Sequence, residues 1–209
     1  MIHNKTGKIA ILMGVFIVLI LIASFGGYYG RHFWTKTFGL DLKPSQVIAP
    51  KVVEVNLQND SRWSEDLLGN SRYSMGGYGC LVSVLATSIT DLGYKINAGD
   101  LNRKFSEYGI FTNQGEVIWY KISEVFPDVR YRYQRIFNSG TFENDLREGK
   151  LPIVMVKYNK TGVFHWVLIV GADENDFLIV DPLNGSKDYM RLSKHGNVYA
   201  YRVLEKQNE

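Results

Sequence analysis

Helical periodicity in the first half of the chain, strand-like runs in the second and one long charge-free stretch at the amino terminus predict an α+β domain preceded by a single transmembrane helix. The 209 residues are 45% hydrophobic and 22% charged, the balance of one globular domain and not of a disordered chain. The net charge is +3, and Lys5 and Lys8 in the acid-free first 30 residues supply most of it. What remains is near neutral, which gives nucleic acid no large electrostatic foothold. Cys80 is the single cysteine, so the chain forms no internal disulfide, CxxC redox pair or zinc ribbon. With four histidines and no HExxH, neither a metal site nor a bound cofactor is expected.

From Ile9 to Gly30 there are 22 residues without a charge. As a helix they reach roughly 33 Å, enough for a hydrocarbon core. Tyr28, Tyr29, Phe33 and Trp34 fall where such a helix meets the far headgroups. The competing reading is a cleaved signal peptide. Its apolar region is usually shorter, about 7 to 15 residues, and Ser24-Phe25-Gly26 is a weak cleavage pattern. The expectation is therefore a membrane anchor through residues 9–30. Its short tail stays inside and the large domain is extracytoplasmic.

Residues 1–30 are read as tail and anchor, 31–50 as a juxtamembrane linker closed by Pro44 and Pro50, and 51–209 as the folded domain. Val52, Val53 and Val55 predict a short strand before a glycine-dense polar loop from Gln58 to Gly79. Leu81, Val82, Val84, Leu85, Ile89 and Leu92 then recur at helical spacing and stop at Gly93. Helices follow over 97–107, capped by Asn97, and over 115–125, stopped by Pro127. Strands are expected over 129–134, 151–158, 164–170, 177–180 and 199–204, with one helix over 141–147. Arg130, Arg132 and Arg135 alternate with Tyr131 and Tyr133, which in a strand means one solvated and one buried face.

Cys80 follows Gly79 at the first turn of the strongest helix, where unpaired N–H groups and the helix dipole favour a thiolate. A buried, inert thiol is the alternative. The preceding Gly76-Gly77-Tyr78-Gly79 lacks the Lys-Ser/Thr of a phosphate loop. His165 lies in an apolar strand, and the next strand ends at Asp181, with the turn-like run 172–176 between them. Folding back about that turn brings His165 and Asp181 to one face, where a carboxylate fixes an imidazole tautomer. Asp181 also suits the start of a turn, before Pro182. His195 sits in a polar loop and is expected to be solvated, as is Gln58 on its surroundings alone.

Taken together, Gln58-Asn59-Asp60-Ser61-Arg62-Trp63, Gly77-Tyr78-Gly79-Cys80 before an apolar helix, His165-Trp166-Val167-Leu168-Ile169-Val170-Gly171 and Asp181-Pro182 resemble the C39-like peptidases, relatives of the papain-type cysteine peptidases. The likeness covers roughly residues 51–204. It implies a papain-like fold whose helical half carries the nucleophile helix and whose second half is an antiparallel sheet. It also implies Cys80 as nucleophile, His165 as base, Asp181 as orienting residue and Gln58 as oxyanion donor. Trp166 stands where such relatives often carry phenylalanine or another apolar residue. The expected activity is hydrolysis of a peptide or amide bond, with a peptide or cell-wall peptide as substrate. Two alternatives use the same residues or fold: a cell-wall amidase or acyltransferase, and a noncatalytic cell-surface binding module.

Overall fold

Eight consecutive buried residues, Val82 to Ile89, make one helix the centre of the domain, because a helix apolar on most sides is stable only when surrounded. The computed structural model describes the backbone of residues 5–185 and 189–207, and within the first helix the side chains of 13–18 and 26–38 only. In chain order the helices are α1 (Lys5–Phe38), α2 (Met75–Tyr78), α3 (Cys80–Asp91), α4 (Ala98–Glu107), α5 (Ile122–Val125) and α6 (Ser139–Arg147). The strands are β1 (Val129–Tyr133), β2 (Pro152–Lys157), β3 (Phe164–Ala172), β4 (Phe177–Val180), β5 (Met190–Arg191) and β6 (Val198–Lys206). They form one sheet in the order β1-β6-β2-β3-β4-β5, and every pairing is antiparallel. The α+β expectation therefore stands, helices first and antiparallel sheet second.

The local causes are visible at each boundary. Asn97 accepts a hydrogen bond from Asp100 N–H and starts α4, as its sequence position predicts. Asn138 and Thr141 form a reciprocal capping box that starts α6 two residues earlier than expected. The helix expected over 115–125 is cut to its last third: Gly115 sits at φ +75 in a turn closed by its N–H to Thr112, a backbone that does not continue into a helix. Val52, Val53 and Val55 join no ladder, and β5 went unrecognised because two residues carry no period.

α3 lies against β3, and its Leu85 and Ile89 are fully buried, each contributing roughly 2 kcal/mol of apolar transfer. Around α6, Phe142 meets Phe137, Phe177 and Tyr201 at ring separations of 5.1–5.7 Å. The stretch expected as a linker is tied to the sheet. Leu40 exchanges backbone hydrogen bonds with Val198, and Ile48 with Ala172. A Cβ at Gly171 would come within 2.6 Å of Pro50 Cα, so glycine is what lets this segment cross β3.

α1 runs unbroken over 34 residues, past the expected end of the anchor at Gly30. Among the described residues no helix is long and apolar enough to cross a membrane. Half of the charge-free run expected to do so, 9–12 and 19–25, has side chains outside the described residues.

Candidate active site

Cys80 is the first residue of α3, half-buried, and α2 runs into it with Gly79 as the joint. Glycine is required there: a Cβ would lie 2.5 Å from Met75 O and 2.7 Å from its sulfur. The thiol lines the same cleft as His165 and is close enough to act on its imidazole. His165 stands one residue into β3, opposite Val156, and is 4% exposed. Its Nε2 is 2.7 Å from Asp181 Oδ1, which leaves Nδ1 as the ring nitrogen for the thiol.

The hairpin brings His165 and Asp181 together by a diagonal. Leu168 pairs with Val180 across β3 and β4, and a register shift between Ile169 and Gly171 absorbs one residue near the turn. Continuing that register beyond Val180 sets Asp181 opposite Val167, two residues from His165 and on the same face. Asp181 both pairs with His165 and starts a turn. Its backbone carbonyl starts a turn by accepting Asn184 N–H, while Oδ1 takes Leu183 N–H at 2.8 Å as well as His165.

Burial pushes the His165 imidazole down, but the hydrogen bond to Asp181 and the nearby Cys80 sulfur outweigh it and raise it from 6.5 to about 9. Burial likewise pushes Asp181 up, while His165, His195 and Leu183 N–H hold it well below the ordinary carboxylate range. Cation and carboxylate therefore coexist at neutral pH beside the thiol.

His195 corrects the sequence reading. Far from solvated, it is 1% exposed, with Nε2 3.1 Å from Asp181 Oδ2 and Nδ1 accepting Asn159 N–H at 3.0 Å. The acceptor role of Nδ1 puts the proton on Nε2, so His195 donates to Asp181 as a neutral ring. Asn159 and Lys160 both adopt positive φ, 45° and 62°, in the turn that presents this N–H. Tyr158 stacks near both histidines, 5.3 Å from His165 and 5.6 Å from His195. No local pattern marks His195 for burial; the chain after β5 folds it over Asp181.

Gln58 is also buried, 2% exposed, and stitches the two halves together. Its backbone N–H donates to Pro182 O at 3.0 Å, and its Nε2 donates to Gly76 O at 2.8 Å. That carbonyl fixes the amide orientation, since the reverse would face two oxygens. One Nε2 hydrogen stays uncommitted. Gln58, Cys80 and His165 line one cleft of about 760 Å³ with Trp119, Trp166 and Arg202.

No family model matches the chain, and no curated protein does. Among solved structures, a chain from Bacillus anthracis provisionally named a C39-like peptidase aligns with it at a TM-score of 0.48 and 13% identity. The alignment covers 75% of this chain and 100% of that one. This is a loose likeness of architecture.

Proposed function

We propose that this chain is a papain-like thiol hydrolase that cleaves a peptide or amide bond, held at a membrane through residues 9–30. The observation that carries the reading is the set Cys80, His165 and Asp181: a thiol at a helix start shares a cleft with an imidazole whose Nε2 is 2.7 Å from a buried carboxylate. A raised His165 favours the imidazolium, which supports a thiolate partner.

In this mechanism the Cys80 sulfur attacks the carbonyl carbon and the carbonyl π pair moves to oxygen. The uncommitted Nε2–H of Gln58 and the backbone N–H of Cys80 receive that oxyanion. Collapse expels the amine, which leaves with the proton from His165, and a thioester remains. His165, now neutral, takes a proton from water, hydroxide adds to the thioester, and the acid departs as the thiol–imidazole pair is restored. Asp181 stays ionised and orients the ring throughout.

The test is alkylation of the folded full-length chain by iodoacetamide at mildly acidic pH, read by intact mass, followed by a peptide-library screen of wild type against Cys80→Ala. Stoichiometric modification of Cys80 and cleavage lost in Cys80→Ala are expected. A thiol that reacts only after denaturation would instead identify a noncatalytic binding module.

A further inference from the structure

Arg202 lies within β6, between Tyr133 of β1 and Ile153 of β2. Its neighbour Tyr201 points into the aromatic cluster around Phe142, so strand alternation turns Arg202 to the opposite face. Met155 and Trp166 share that face by register: Met155 is two residues along β2 from Ile153, and Trp166 is its partner on β3. Arg202 lines the same cleft as Cys80 and His165.

Three rings surround the guanidinium, with Trp119, Tyr133 and Trp166 at 4.6, 4.9 and 5.4 Å from its carbon. Rings stabilise a cation through its flat faces and leave the in-plane N–H groups unanswered. Nε and Nη1 are buried without a hydrogen-bond partner, and among the described residues no carboxylate pairs with Arg202. The contrast with Arg132 is direct. That guanidinium is bonded to Asp145, Tyr201 and Glu205. Arg202 is half-buried, and its unfilled donors are costly unless a ligand supplies an acceptor to the fork.

We propose that Arg202 is a specificity residue of the cleft and receives a carboxylate of the substrate, in a subsite walled by Trp119 and Trp166. The planar fork of arginine matches a planar carboxylate along an edge. Cys80, His165, Trp166 and Arg202 line one cleft, so the subsite opens onto the space that holds the thiol. The assignment rests on the thiol-hydrolase reading for the identity of the substrate as a peptide.

Bromoacetyl peptides that alkylate Cys80 test it in the full-length chain. One series ends in glutamic acid amide, one in glutamine amide and one in glutamine free acid, each behind spacers of none to about three glycines, with rates read by intact mass. At one spacer length an acid probe should react on the order of tenfold faster than its neutral twin, the size of a charge-assisted hydrogen bond. Preference for the glutamic acid amide identifies a side-chain carboxylate, and preference for the free acid identifies a terminal one. Either ratio should fall to near one in Arg202→Met and several-fold in Arg202→Lys, which keeps the charge and loses the fork. Equal rates for acid and neutral probes at every spacer length in wild type overturn the proposal, whether or not the variants fold, and leave the hydrolase intact. A preference that survives in a folded Arg202→Met chain overturns it as well. A Cys80 that no probe modifies in the folded chain would sink the hydrolase reading and this subsite with it.

Discussion

Asp181 Oδ2 accepts from His195 at 3.1 Å, on the oxygen that His165 does not use. The carboxylate is thereby held from both sides, by a histidine beside the thiol and by one whose other nitrogen is fixed to Asn159 N–H. Removing His195 leaves a buried carboxylate oxygen with one donor fewer, free to rotate and take His165 with it.

His195→Ala should therefore lower kcat about 10- to 100-fold, the range for losing a hydrogen bond to a charged group, with KM changed much less. His195→Gln can still donate to Asp181 and should recover part of the loss. A purely structural role predicts lower thermal stability in both variants with kcat intact in the surviving folded fraction. Measuring kcat and KM on correctly folded material separates the two.

How much of this was legible depends on whether a period or an equal spacing marked the residue. His165 and Asp181 flank a turn at matching distances, so their pairing could be read from positions alone. Cys80 announced itself through the abrupt change from glycine-rich loop to apolar helix. His195 and Arg202 had no such mark. The first is buried only because a loop returns over Asp181. The second gains its surroundings only because β6 lies inside the sheet, between β1 and β2, which brings rings from three other segments around it. Gln58 looked solvated for the same reason: its partners Gly76 and Pro182 are 18 residues or more away.

The charge pair at the site makes a pH-dependent contribution to stability. His165 is raised from 6.5 to about 9, so its contribution is complete below 6.5 and is lost as pH rises through 9. Asp181 is depressed, so its share is present above 3.8 and is lost as pH falls below that value. The melting temperature of wild type should exceed that of His165→Gln by several degrees at about pH 6, and the gap should shrink as pH rises from 6.5 and close above about 9. A gap that stayed constant to strongly alkaline pH would contradict a raised His165.

For the amino terminus, full-length protein should remain in the membrane fraction through high-salt and carbonate washes, because 22 charge-free residues suffice to span. The soluble comparison should begin after Phe38 and not at Lys51, since Leu40 and Ile48 pair with the sheet. Recovery of a mature chain starting after Gly26 would establish a signal peptide in place of the anchor.

Gln58 offers the sharpest separation of chemistry from structure. Its Nε2 already donates to Gly76 O at 2.8 Å, so truncation removes one structural hydrogen bond, worth about 1 kcal/mol, whatever its catalytic part. In the proposed mechanism the second Nε2 hydrogen gains a partner only when charge develops on the carbonyl oxygen, so its loss should fall on the transition state. Gln58→Ala is expected to lower kcat about 10²- to 10³-fold while KM stays within a few-fold. Alkylation of Cys80 should continue near the wild-type rate, because displacement at an alkyl halide builds no oxyanion and the pair with His165 is untouched. Gln58→Glu, ionised, has no hydrogen to donate and should be at least as slow, with its negative charge facing the oxyanion. Wild-type turnover in a folded Gln58→Ala chain would remove Gln58 from the oxyanion site even with Cys80 and His165 confirmed, and would leave it as the tie between Gly76 and Pro182.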